Sequence, residues 1–140
     1  MTFVETPLKE VYLQEPRVFG DSRGFFLVTW KSETFRDAGF EQTFMQDNHI
    51  RSARGILRGL HFQTEHTQGK LVRVTSGEVF DVAVDLRRGS PTLGQWYGVN
   101  LSSETHNLVW VPPGFAQGFY VISDYADFLY KCTDVYHTAS

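Results

Sequence analysis

Apolar residues recur along this chain in short runs, several alternating with polar positions, and proline or glycine interrupts them roughly every ten residues. That rhythm predicts an all-β sandwich or barrel, with one or two short helices. Residues 10–16 (EVYLQEP) read as a strand. A turn through Gly20, Asp21 and Ser22 leads into a second strand over 24–30 (GFFLVTW). Residues 32–40 (SETFRDAGF) are the one clear helix, with Ser32 placed to cap it and Gly39 to end it. Residues 70–87 (KLVRVTSGEVFDVAVDLR) read as a hairpin, with Gly77 supplying the positive φ of its turn. In its second arm Val79, Asp81, Ala83 and Asp85 alternate with Phe80, Val82, Val84 and Leu86, the pattern of a half-buried strand. Residues 96–102 form a strand, residues 106–123 hold two strands around Pro112-Pro113-Gly114, and residues 127–136 hold the last. Neither repeats nor a low-complexity linker divide the chain, so residues 1–140 read as one domain.

Composition narrows the function. A length of 140 residues suffices for one real core. The net charge is −3, without the basic face that nucleic acid requires. A few local arginines could still hold one small anion. The lone cysteine, Cys132, rules out an intramolecular disulfide framework and suits a reducing cytoplasm. Neither a secretory leader nor an apolar run near the ~20 residues of a membrane span is present.

A small antiparallel barrel often holds its ligand inside, so polar residues on inward faces are the ones to weigh. Histidine pairs on such barrels bind metal through His-x-His and a further His after a Pro-x-Gly turn. Here both partner positions carry glutamine, Gln63 and Gln117, a poor ligand for zinc or iron. His49, His66, His106 and His137 have no spacing that forms a site, so no metal is expected. His61, set among apolar and small residues, is either a general base or a packed core histidine. Lys70 shares a strand face with Val72 and Val74, so it needs a partner such as Asp81 or Asp85 unless it snorkels to solvent. Tyr130 stays protonated at neutral pH and can donate a proton, though a buried tyrosine usually only hydrogen-bonds. Arg23 and Arg58 can each hold phosphate or simply lie on the surface. Strict alternation puts Arg58 and His61 on opposite faces, so they meet only if Gly59 permits a bulge.

The segments VFGDSRGFF, QDNH, LRGLHFQ, QGKLVRV, GEVFDVAVDLRRGSPTLGQW, VPPGFAQGF and FLYKCTD, in this order along nearly the whole chain, resemble the dTDP-4-dehydrorhamnose 3,5-epimerase family. The resemblance implies a cupin-type jelly-roll β-barrel and epimerisation of a dTDP-linked 4-keto-6-deoxy sugar at C3 and C5 without a cofactor. It implies His61 as base, Tyr130 as acid on the opposite face, and Lys70 beside the sugar carbonyl. Arg23 and Arg58 match diphosphate ligands, Gln46 and Asn48 match contacts to the nucleotide half, and Tyr136 matches a tyrosine that stacks on thymine. Gln117 stands where a substrate-touching histidine is usual, and Leu27-Val28 stand where a glutamate is usual. A homodimer sharing an N-terminal strand, with residues 10–16 as the counterpart, and a cytoplasmic location are implied. Family members continue past the position of Ser140 into a WND segment whose aspartate orients the base histidine, so the chain reads as lacking that segment. Alternatives are a single-centre epimerase, another nucleotide-sugar substrate, or a catalytically weakened nucleotide-sugar-binding jelly roll.

Overall fold

Two antiparallel sheets close over a common apolar core. The computed structural model describes residues 1–40, 42–62 and 68–134. The strands are β1 (Thr2–Glu5), β2 (Tyr12–Glu15), β3 (Val18–Asp21), β4 (Gly24–Leu27), β5 (Gln46–Ala53), β6 (Leu57–His61), β7 (Lys70–Ser76), β8 (Glu78–Asp85), β9 (Trp96–Ser102), β10 (Leu108–Val111), β11 (Phe115–Val121) and β12 (Tyr125–Cys132), with α1 at Ser32–Asp37. One sheet runs β1-β2-β10-β7-β12-β5 and the other β6-β11-β8-β9, while β3 and β4 pair only with each other. This is the cupin-type jelly roll that the sequence predicts.

The core between the sheets joins Val72, Val74, Val109 and Phe128 of the larger sheet to Val79, Leu101, Phe119 and Val121 of the smaller. Each such side chain stabilises the fold by about 1.5–3 kcal/mol when fully buried. A second cluster lies on the far side of the larger sheet, where Phe35 of α1 packs with Leu71, Leu108 and Trp110. The successive residues Leu71 and Val72 thus serve opposite faces of β7, as strand alternation requires.

Two expectations need correction. The run 70–87 is not a hairpin: β7 pairs with β10 and β12, whereas β8 pairs with β9 and β11. Its turn carries the chain from one sheet to the other. Gly77 does take a positive φ of 81°, and a Cβ there would lie 2.2 Å from the Tyr125 carbonyl oxygen. Helix α1 is shorter than predicted, and Lys31 rather than Ser32 holds the N-cap position, without a side-chain cap. Gly39 follows the helix with φ 96°, as expected of a terminating glycine. Residues 46–53 form the strand β5 against β12.

The bulge that Arg58 and His61 need is present. Gln117 pairs with His61 and Phe119 with Arg58, so β6 carries one residue more than β11 between those pairs. Gly59 has φ 104°, and a Cβ there would lie 2.7 Å from both the Gln117 carbonyl oxygen and Gly118 Cα. Gly59→Ala should therefore cost about 3 kcal/mol. Gly89 also has a positive φ, but a Cβ there meets nothing within 4 Å. Gly89→Ala should cost only about 1 kcal/mol. Urea unfolding of both variants checks this, and equal losses would contradict it.

Candidate active site

The inward row of residues turns polar where β5, β7, β8, β11 and β12 carry Asn48, Lys70, Asp81, Gln117 and Tyr130. A cavity there is lined by Arg58, His61, Lys70, Gln117 and Tyr130, with Ile50, Phe119 and Phe128 as apolar walls. The bulge at Gly59 places both Arg58 and His61 on this cavity. Arg58 is steadied by its Nε–H donating to Ser52 Oγ at 2.8 Å. His61 is exposed at the rim.

Across the cavity, Tyr130 and Lys70 come from the other sheet. Lys70 Nζ lies 5.3 Å from the centre of the Tyr130 ring. Burial lowers the Lys70 pKa, partly opposed by Cys132 and Asp81. Burial also raises the Tyr130 pKa, so its phenol holds its proton more firmly than in water. Between the two aspartates offered as partners for Lys70, the structure selects Asp81. Asp85 is tied instead to Arg87, Ser90 and Thr92.

Asp81 is 1% exposed, and both of its carboxyl oxygens face Gln117 Nε2, at 3.3 and 3.2 Å. Burial pushes its pKa up to about 8, against the smaller opposing effects of the Gln117 hydrogen bond and the Lys70 charge. Sequence reasoning named Asp81 only as a possible lysine partner. Its position two residues from Val79 on the inward face was the available signal.

The residues expected to contact the nucleotide divide. Gln46 and Asn48 lie on the inward face of β5, joined by a 2.9 Å hydrogen bond from Gln46 Nε2 to Asn48 Oδ1, and Asn48 Nδ2 reaches Cys132 Sγ at 3.5 Å. Arg23 is not with them: it sits at the tip of the β3–β4 hairpin and pairs with Asp21 at 2.7 Å. Tyr136 and Gln63, like His66 and His137, lie outside the described residues. His49 and His106 are occupied elsewhere, by Asp127 and by the ring of Phe25. Among the described residues no three potential metal ligands cluster, and no helix there is long and apolar enough to cross a membrane.

Residues 5–140 match the family model described as dTDP-4-dehydrorhamnose 3,5-epimerase. The enzyme of that name from Pseudomonas aeruginosa is 62% identical over 128 residues, covering 91% of this chain and 71% of the relative. The one from Salmonella typhimurium is 54% identical over 142 residues, covering 100% of this chain and 78% of the relative. The crystal structure of dTDP-6-deoxy-D-glucose-3,5-epimerase from Legionella pneumophila, in complex with dTDP-4-keto-L-rhamnose, superimposes with a TM-score of 0.97 at 53% identity. That match covers 99% of this chain and 74% of the other. The protein is thus an isomerase of nucleotide-linked sugars on a cupin-type jelly roll. More specifically, the chain belongs to the dTDP-4-dehydrorhamnose 3,5-epimerase family.

The Asp81 carboxyl has a consequence for stability. Between pH about 4, where an unfolded aspartate ionises, and about 8, the folded chain keeps a proton that the unfolded chain releases. Stability should therefore fall as pH rises through that window. Urea midpoints measured from pH 5 to 8 should decline for the wild type and decline less for Asp81→Asn. Identical pH slopes for the two would remove the assignment.

Proposed function

We propose that this chain epimerises a dTDP-linked 4-keto-6-deoxy sugar at C3 and C5, dTDP-4-dehydro-6-deoxyglucose to dTDP-4-dehydrorhamnose, by proton removal and return beside the ketone. One observation carries the assignment of roles: His61 stands on the smaller sheet and Tyr130 on the larger, and both line one cavity. A sugar ring held between the sheets presents one face to each. His61 takes the proton from carbon, and the electron pair moves into the C4 carbonyl to give an enolate. Lys70, in its cationic form, stabilises that oxygen where little water screens it. The Tyr130 O–H then returns a proton to the opposite face, inverting the centre, and solvent restores the phenol. Arg58, Gln46, Asn48 and Gln117 hold the rest of the substrate. No cofactor takes part in this scheme. Residues 1–140 act as one jelly-roll domain, and the buried lone thiol suits a cytoplasmic setting.

Solvent deuterium should enter C3 and C5 of the keto sugar. His61→Ala should slow its entry by roughly 10²–10⁴-fold. Tyr130→Phe should depress inversion more than exchange. Full exchange by His61→Ala would overturn the assignment, and label at C3 alone would mark a single-centre epimerase. Stabilisation by dTDP without any exchange would leave a binding protein.

The position of Arg23 supports a homodimer. Its hairpin pairs with no other strand and exposes Phe19, Phe25 and Phe26 at 51%, 62% and 65%. Three large exposed apolar rings on one short hairpin mark a contact surface. Within one chain Arg23 lines a hollow of the hairpin itself. A second copy covers the rings and receives Arg23 beside its diphosphate. Phe25→Asp with Phe26→Asp should shift sedimentation from dimer to monomer and weaken dTDP binding. A wild-type monomer with full activity would contradict this reading.

A further inference from the structure

Ser52 is 6% exposed on β5, opposite Ala126 of β12. Ile50, two residues back on the same strand face, walls the cavity. Ser52 Oγ accepts the hydrogen bond from Arg58 Nε–H at 2.8 Å. β5 is an edge strand of the larger sheet and β6 an edge strand of the smaller, and the two do not pair. The Ser52–Arg58 bond therefore crosses the seam between the sheets. Arg58 itself is exposed. An exposed arginine left unrestrained gives up much rotamer freedom when it grips an anion. Its guanidinium is a planar fork of five N–H donors. With Nε–H held by Ser52, the Nη1–Nη2 edge is the pair that can meet two oxygens at once. The Arg58 charge reaches Tyr130, where it opposes the rise that burial gives the phenol's pKa, so the fork lies on the cavity side.

We infer that Ser52 is a positioning residue: it fixes the Arg58 guanidinium across the sheet seam with its Nη1–Nη2 edge toward the cavity, where that edge takes two oxygens of the substrate's diphosphate. The serine touches no substrate. It orders the arginine before the ligand arrives, so binding does not have to order it. This rests on the epimerase reading, in which Arg58 holds part of a dTDP-sugar, and adds what holds Arg58 in place.

The test is calorimetric Kd for dTDP and for thymidine, which lacks the diphosphate. Ser52→Ala should weaken dTDP by about tenfold, the loss of one hydrogen bond to a charged group, and leave thymidine within about twofold. In an Arg58→Met background the same Ser52→Ala change should alter the dTDP Kd by less than about twofold, because no guanidinium remains to be positioned. With the keto sugar, Ser52→Ala should raise KM, while deuterium entry at saturating substrate stays within about threefold of the wild type. A merely structural serine would lower the melting temperature and weaken thymidine as much as dTDP. That outcome overturns the inference, as does an unchanged dTDP Kd in Ser52→Ala or an equal loss in the Arg58→Met background. Should Ser52→Ala fail to fold, Ser52→Cys decides, since a thiol accepts only weakly: a wild-type dTDP Kd in that variant overturns the inference. A wild type that exchanges no deuterium, while dTDP binding responds to Ser52 as stated, sinks the epimerase reading and leaves the positioning role standing.

Discussion

The site depends on the close approach of two glycines. Gly59 on β6 and Gly118 on β11 pass so near each other that neither tolerates a Cβ: one at Gly118 would lie 2.6 Å from the Arg58 carbonyl oxygen. This contact lets β6 carry an extra residue without leaving the sheet. Arg58 and His61, three positions apart on a strand, would otherwise face opposite ways. Arg58 and His61 thus reach one cavity because no side chain separates the strands. The rest of the jelly roll supplies the opposing wall.

That wall is electrostatically strained by design of its burial. Lys70 and Tyr130 on that wall, and Asp81 on β8 of the smaller sheet, each have a pKa displaced toward the neutral form because water is largely excluded around them. The apolar stack of Phe119 on Phe128, with ring centres 4.1 Å apart, forms part of the same lining. Such surroundings keep a phenol ready to donate and make a lysine cation count for more at a developing enolate. His61, exposed at the rim, is the exception to this exclusion of water.

Much of this was legible from residue order alone. The alternation in 79–85 correctly marked a strand with one inward face, and the company of Val72 and Val74 correctly turned Lys70 inward. The need for a bulge at Gly59 followed from counting positions. What failed was pairing. The run around Gly77 has every local mark of a hairpin turn, yet its arms belong to different sheets, because local turn chemistry fixes a reversal of direction and not which strand lies alongside. The arginine at the hairpin tip was grouped with Arg58 by chemistry. Its place at the tip of β3–β4 lies away from the cavity that Arg58 lines.

The comparison of Asp81 with Asp85 shows why residue type and spacing could not separate a site residue from a structural one. Both lie on β8, on the same face, at 1% and 0% exposure. Burial disfavours both charges. At Asp85 the Arg87 guanidinium, the Ser90 and Thr92 hydroxyls and the Arg87 backbone N–H outweigh it and hold the carboxyl well below the usual carboxylate range. That carboxylate closes the 87–92 turn and is fully satisfied. Asp81 receives only the Gln117 amide and a share of the Lys70 charge, so its pKa moves the other way. A buried carboxyl left this poorly compensated lowers stability, whereas an apolar residue of similar size would not. Its place beside Lys70, with a Gln117 amide oxygen unpartnered among the described residues, costs more than a purely structural core requires.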